Sequence, residues 1–256
     1  MSNSPLVSYT KISPNKTSPR NHAIDTITIH CVVGQCSVEA IGEVFAPTSR
    51  QASSNYGIGF DGRIGMYVEE KDRSWCSSNG KNDNRAITIE VASDTKHPYA
   101  VNDKAFAALL DLVTDICKRN GIKKLVWSTD KNRRVNHLNG CNMTVHRDYA
   151  NKSCPGDYLY NRHGEIAAEV NRRLGVSAEE SIKPSEPATK AVNYLVRVKI
   201  PNLRIRSGPG TNYASKGCIK PGAYTIITES NGKGATKWGK LKSGAGWISL
   251  DYAQKL

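Results

Sequence analysis

Residues 24–33 read IDTITIHCVV, and residues 84–93 read NRAITIEVAS. Both stretches carry the alternating, largely apolar pattern of a β-strand. Between them and the C-terminal region lies a helical pattern at about residues 103–119, whose predicted buried side consists of Phe106, Leu109, Leu110, Val113 and Ile116. Strands that alternate with helices predict an α/β domain with a central mixed sheet flanked by helices.

Further elements fit the same domain. SVEAIGEVFA (37–46) predicts a short helix, NYGIGFDGRIGMYVE (55–69) predicts two strands joined at Asp61-Gly62, and NMTVH (142–146) predicts another short strand. A last helix is predicted over DYLYNRHGEIAAEVNRRLG (157–175). We therefore predict one domain over residues 1–174.

The pattern changes after residue 174. Residues 175–193, GVSAEESIKPSEPATKAVN, contain two prolines and no sustained apolar period, which predicts a linker. Residues 194–256 show short strands with dense glycine and proline punctuation, which predicts a small all-β barrel.

Composition limits the function classes. The net charge is +13, of which residues 193–256 contribute +9, so the basic character belongs mainly to the C-terminal region and indicates an anionic partner. No apolar run approaches the length of a bilayer span, and the N-terminus has no secretion-signal pattern. We expect synthesis in the cytoplasm and no membrane insertion. Seven cysteines, an odd number, favour free thiols over a disulfide framework.

A metal site is the main chemical hypothesis. HRDYANKSCPG (146–156) places His146 and Cys154 eight residues apart, and His30 ends the strand TITIH. Two imidazoles and a thiolate suit Zn²⁺, and three protein ligands leave a fourth position open for chemistry such as amide hydrolysis. The spacing alone leaves open that the histidines are hydrogen-bonded structural residues.

From His30 to about Leu174 the chain resembles the zinc-dependent N-acetylmuramoyl-L-alanine amidases of the phage-lysozyme and peptidoglycan-recognition type. Pieces resembling that family come in order: TITIHCVV, SSNYGIGFDGRIGMYV, RSWC, NRAITIEVAS and HRDYANKSCPG. Each piece alone is loose, whereas the ordered set is specific. The resemblance implies that His30, His146 and Cys154 hold Zn²⁺.

The same resemblance implies roles for two further residues. Glu90 would act as general base, and Lys152 would stabilise the oxyanion. The alternatives are a salt-bridged carboxylate at the rim for Glu90 and a solvated loop charge for Lys152.

Asn55, Tyr56 and Trp75 are the predicted substrate contacts, with packing as the alternative for Tyr56. Two positions depart from the family pattern. Ser54 occupies a position where one branch has a catalytic tyrosine, and Cys76 one where many relatives have histidine. The resemblance therefore implies no catalytic tyrosine at position 54 and no histidine contact at position 76.

Residues 194–256 resemble a bacterial SH3-type domain, above all in LRIRSGPGTNY and GWISLDYA. Such domains hold wall hydrolases on peptidoglycan, and a basic module suits a wall rich in carboxylates and phosphodiesters. The aromatic candidates for wall contact are Tyr213, Trp238, Trp247 and Tyr252. The two tryptophans are equally compatible with a role in the core.

We therefore expect an amidase that cuts between N-acetylmuramic acid and L-alanine of peptidoglycan, acting as a phage or prophage endolysin or as a bacterial autolysin. Nucleic acid is not expected as its partner, although the basic barrel leaves that reading open. The rivals are a cysteine endopeptidase using Cys36 with His97 or His137, and a non-catalytic peptidoglycan-binding protein. No ligand position is matched by His22, His97, His137 or His163. His163 is expected to be a surface or half-buried residue.

Overall fold

The computed structural model describes residues 2–176, 190–211, 213 and 215–256. The chain divides into two compact units, Met1–Ile182 and Lys183–Leu256. Most of the predicted linker, residues 177–189, lies outside the described residues. The last four residues of the predicted linker, 190–193, belong instead to a strand that begins at Lys190. This strand forms because Val192 and Tyr194 pack against the core of the second unit. The predicted domain limits otherwise stay predictions.

The first unit is built on a central sheet. Its strands are β1 (Tyr9–Thr10), β3 (Thr26–Cys31), β4 (Tyr56–Ile58), β5 (Ile64–Met66), β7 (Ala86–Val91) and β8 (Met143–Thr144), while β2 (Lys16–Thr17) and β6 (Arg73–Ser74) form a separate pair. The strand order is β1-β5-β4-β7-β3-β8, in which β4 and β5 are antiparallel and the other neighbours are parallel. The predicted mixed sheet is confirmed.

Helices cover this sheet. They are α1 (Val38–Phe45), α2 (Gly80–Arg85), α3 (Asp103–Arg119), α4 (Lys131–Val135) and α5 (Gly156–Arg173), and short 3-10 helices span Thr48–Arg50, Leu138–Gly140 and His146–Asp148. Helix α3 has the predicted limits, because Asn102 accepts a hydrogen bond from the Ala105 amide at the N-terminus and a run of buried apolar residues follows. Among the described residues, no helix is both long and apolar enough to cross a membrane.

Strand alternation gives the sheet two chemically different faces. Ile29 and Ile89 belong to the main apolar core, together with residues of α3 and α5. On the opposite face Thr28 hydrogen-bonds Thr144 at 2.7 Å and accepts a hydrogen bond from Asn82 at 3.1 Å. This buried polar face carries the candidate site described below.

Among its described residues, the second unit consists of strands joined by turns and loops, with one 3-10 turn at Leu250–Tyr252. Its strands are β9 (Lys190–Val198), β10 (Leu203–Arg206), β11 (Ser215–Ile219), β12 (Gly222–Gly232), β13 (Ala235–Leu241), β14 (Trp247–Ser249) and β15 (Ala253–Lys255). They form one antiparallel sheet in the order β11-β10-β14-β13-β12-β9-β15, which is consistent with an SH3-like domain. Trp238 and Trp247 are buried, whereas Tyr252 is 54% exposed. The two tryptophans therefore belong to the core.

Candidate metal centre

Two neighbouring strands bring the first two site residues together. Strands β3 and β7 run parallel and in register, so that His30 pairs with Glu90 and both side chains point to the polar face of the sheet. His30 Nδ1 lies 3.9 Å from Glu90 Oε1. The imidazole is fully buried, while the carboxylate side chain keeps 16% of its surface exposed.

A 3-10 helix and the residues before α5 supply the other two donors. Strand β8 ends at Thr144, two residues earlier than the predicted end at His146, and His146 opens the 3-10 helix. Cys154 Sγ lies 3.3 Å from His30 Nδ1, and the rings of His30 and His146 are 5.1 Å apart. The three donor atoms lie within 4.8 Å of one another.

This donor set fits a zinc ion. Tetrahedral zinc with Zn–N bonds of about 2.1 Å and Zn–S bonds of about 2.3 Å places nitrogen and sulfur ligands about 3.6 Å apart, close to the observed 3.3 Å. Burial holds the pKa of His30 well below its ordinary value, with His146 and His163 nearby adding to the effect. Burial and the Lys152 charge lower the pKa of His146. Both shifts favour the neutral imidazole, the form that binds metals.

A buried ion pair supports the 3-10 helix that carries His146. Arg134 donates to Asp148 Oδ2 from Nε at 2.7 Å and to Oδ1 from Nη2 at 2.6 Å, and both side chains are at most 3% exposed. Asp148 also accepts a hydrogen bond from the Val145 amide at 3.3 Å. The pair therefore fixes the turn on which the second imidazole depends.

We expect Asp148→Ala to lower the free energy of unfolding by about 3–5 kcal/mol, because it leaves the Arg134 charge buried without its partner. Urea denaturation measures the change. Asp111→Ala is the matched control, since the Asp111–Arg173 pair is more exposed and should contribute at most about 1 kcal/mol. Equal effects of the two substitutions would contradict the prediction.

The carboxylate beside His30 is held in a poorly solvated environment. Burial raises the pKa of Glu90 to about 7, while a hydrogen bond from the Cys76 thiol and the charge of Arg50 act in the opposite direction. Cys76 Sγ lies 3.8 Å from Glu90 Oε1. Glu90 Oε2 is buried and has no hydrogen-bond partner among the described residues. One carboxylate oxygen is thus free to accept a proton.

Lys152 lies at the rim of the centre. Its side chain is exposed, and it is near enough to His146 for its charge to lower the pKa of that imidazole. The position suits the predicted role but does not test it.

The three predicted substrate contacts have different surroundings. Tyr56 is fully buried, and its hydroxyl donates to Glu70 Oε1 at 2.7 Å. Asn55 is also fully buried and hydrogen-bonds Thr88 and backbone carbonyls. Both side chains are buried inside the unit, which favours the packing alternative for Tyr56, and the substrate contacts of both residues stay predictions. Trp75 is half-buried with its indole nitrogen donating to Thr17, and its substrate contact stays a prediction.

Other histidines and the rival nucleophile lie elsewhere. His163 is fully buried, contrary to expectation, because its ring packs 4.4 Å from Trp127. His97 is exposed and pairs with Asp157 at 2.9 Å. Burial raises the pKa of Cys36, which packs beside α1, whereas the rival mechanism needs a lowered pKa. These observations disfavour a cysteine peptidase.

One neighbour of the centre was not anticipated from the sequence. The Ser78 hydroxyl lies 3.2 Å from His146 Nε2. The backbone of Ser78 has a positive φ of 61°. No spacing or periodicity in the loop after Trp75 signals this contact.

Comparisons with known proteins match the region of the chain that contains this site. A family model described as N-acetylmuramoyl-L-alanine amidase matches residues 20–157, which include all three donors, Glu90 and Lys152. A mutant endolysin from Bacillus subtilis is 17% identical, covering 63% of this chain and 97% of its own, with a TM-score of 0.47. The endolysin amidase LysCS from Clostridium intestinale URNW is 18% identical, covering 67% and 94%, with a TM-score of 0.45. No curated protein sequence matches.

Proposed function

Since the chain belongs to the N-acetylmuramoyl-L-alanine amidase family, we propose that it is a zinc hydrolase that cuts the amide bond between the lactyl group of N-acetylmuramic acid and L-alanine in peptidoglycan. The observation that carries the proposal is the convergence of His30, His146 and Cys154 beside the carboxylate of Glu90. Metal-assisted amide hydrolysis needs metal ligands, here two imidazoles and a thiolate, and an adjacent group that accepts a proton.

Different residues would bind the metal, transfer the proton and stabilise the developing charge. His30, His146 and Cys154 would hold Zn²⁺, which when bound polarises a carbonyl oxygen and lowers the pKa of water toward neutrality. Glu90 takes a proton from the attacking water and returns it to the alanine nitrogen as the amide bond breaks. The Lys152 ammonium stabilises the negative charge that develops on the scissile carbonyl oxygen.

The site geometry favours catalysis over simple binding. A protein that only recognises peptidoglycan needs no thiol placed 3.3 Å from a buried imidazole and no carboxylate beside it. Burying these polar groups without a ligand or reaction to use them would cost free energy. The non-catalytic reading is therefore the weaker one.

We further propose that the second unit attaches the enzyme to the wall, as an SH3-type domain of an endolysin that lyses its host. Support comes from its charge, since residues 193–256 contain eleven lysines and arginines but only two acidic residues. An exposed aromatic side chain, Tyr252, is available for contact. Attachment to the polymer raises the effective concentration of the catalytic unit at its substrate.

Wall attachment of this kind should be sensitive to salt. We expect the fraction of full-length protein that sediments with insoluble peptidoglycan to fall as NaCl rises, because exposed charges are screened over about 10 Å at 0.1 M ionic strength. Retention that is unaffected by salt would contradict an electrostatic contribution. Stronger retention on DNA than on wall would favour the nucleic-acid reading.

Mass spectrometry of digested peptidoglycan tests the proposed reaction. We expect intact glycan strands and released peptides with a free N-terminal alanine. A chelator should suppress the products, and added Zn²⁺ should restore them, because the donor set loses its ion. Cut sugars, or cleavage within the peptide, would contradict the assignment.

A further inference from the structure

Two sets of three potential metal donors meet at one histidine. The first is the set of His30, His146 and Cys154. The second consists of His30, Cys76 and Glu90, whose donor atoms also lie within 4.8 Å of one another. Imidazole, thiolate and carboxylate are the three side-chain ligand classes of zinc. The second set therefore has the composition of a metal site in its own right.

The residues of the second set are held in place by the fold. The Cys76 amide donates to Asp83 Oδ2 at 3.0 Å, and the buried Asp83 carboxylate also accepts a hydrogen bond from the Ser77 hydroxyl at 2.6 Å. Glu90 is fixed by its place in β7, next to His30 in the adjoining strand. Among the described residues, Glu90 Oε1 accepts a weak hydrogen bond from the Cys76 thiol, and Oε2 has no hydrogen-bond partner. Both groups therefore keep capacity to bind an ion.

The two sets of donors cannot both bind an ion at the same time. Both use the His30 imidazole, and Cys76 and Cys154 do not fall within a common set. A single ion can thus complete only one of them. The first set offers two imidazoles and the second replaces one imidazole by a carboxylate, so a borderline-soft ion favours the first when both are intact.

We propose that His30, Cys76 and Glu90 form an alternative site for a thiophilic divalent cation, which the ion occupies when the Cys154 thiolate is lost. Binding forms a bond from the Cys76 sulfur to the cation and releases the thiol proton to solvent, with no change of oxidation state. Occupation also engages Glu90, which can then no longer accept a proton in the reaction. The inference rests on the metal centre of the proposed function.

Cadmium titration tests the alternative site, because thiolate-bound Cd²⁺ gives an ultraviolet charge-transfer band. All proteins are full-length and carry Cys218→Ser, which removes the exposed thiol of the second unit. We expect Cys154→Ser still to bind one equivalent of Cd²⁺ with a thiolate band. Adding Cys76→Ser should abolish the band and weaken Cd²⁺ binding at least about 10-fold, since losing a ligand should cost no less than losing an outer-shell partner.

A second double variant provides the matched control. The Cys31 thiol interacts with the Cys154 thiol and is a second sulfur that could replace it. Cys154→Ser with Cys31→Ser should therefore keep the band. A Cys154→Ser protein without any thiolate band would overturn the proposal, and so would a band that disappears with Cys31 and persists without Cys76.

The readout is independent of the reaction. Band intensity and stoichiometry need no turnover, so a protein that binds Cd²⁺ through Cys76 yet cuts no wall would contradict the proposed function and leave this inference standing. Circular dichroism checks that each variant is folded, and Cys76→Ala replaces Cys76→Ser if the serine variant is not.

Discussion

Replacing His146 by alanine should lower the rate of wall hydrolysis at least about 10³-fold, because in the proposed mechanism the Zn²⁺ that activates water would lose one of its three protein ligands. His146 is only partly buried, and its own helical turn is held by the Arg134–Asp148 pair, so the fold should survive the change. The affinity for Zn²⁺, measured by competition with a chromogenic chelator, should fall in parallel.

The matched control for this variant is His22→Ala. His22 is exposed, and the one hydrogen bond shown for its ring is to the neighbouring Ala23 carbonyl. It should retain the wild-type rate and zinc affinity. The account would be contradicted if His146→Ala kept more than a tenth of the wild-type rate.

Replacing Glu90 by glutamine should lower kcat by about 10²–10⁴-fold, the range typical for loss of a general acid–base residue. The amide has nearly the shape of the carboxylate but cannot accept the proton of the attacking water. Since the set of His30, His146 and Cys154 is untouched, zinc content measured by mass spectrometry of the metal should remain at one ion per chain.

Glu39→Gln is the corresponding control, because Glu39 forms an exposed pair with Arg63 on the surface. Its activity should equal that of the wild type. If Glu90→Gln instead lost its zinc, Glu90 would be acting as a ligand of the resting site, and its assignment as proton acceptor would be wrong.

Much of the fold follows from sequence patterns that have a direct physical cause. TITIH and AITIE share one alternation, and the structure pairs them in register from Thr26 with Ala86 to His30 with Glu90. A slip of one residue would turn the apolar side chains of one strand away from the core, so the shared pattern restricts the pairing, and the observed register brings the imidazole and the carboxylate together. The sheet could therefore be predicted from its strand patterns, whereas the roles of His30 and Glu90 are implied by the family resemblance.

Other features depend on contacts between distant loops and could not be predicted. The Arg134–Asp148 pair joins residues fourteen positions apart with no local signature. The buried Tyr56 hydroxyl is satisfied by a hydrogen bond to Glu70, and the buried His163 ring packs on Trp127. Aromatic and imidazole side chains suit both core and contact, so only the tertiary environment decides between them.

Anomalous diffraction at the zinc edge, on crystals of the full-length protein grown with one equivalent of Zn²⁺, tests the central claim most directly. We predict a single strong peak within bonding distance of His30, His146 and Cys154, with Glu90 beside the ion and outside its coordination sphere. A structure without a peak at that position, or with the ion bound at unrelated residues, would contradict the account.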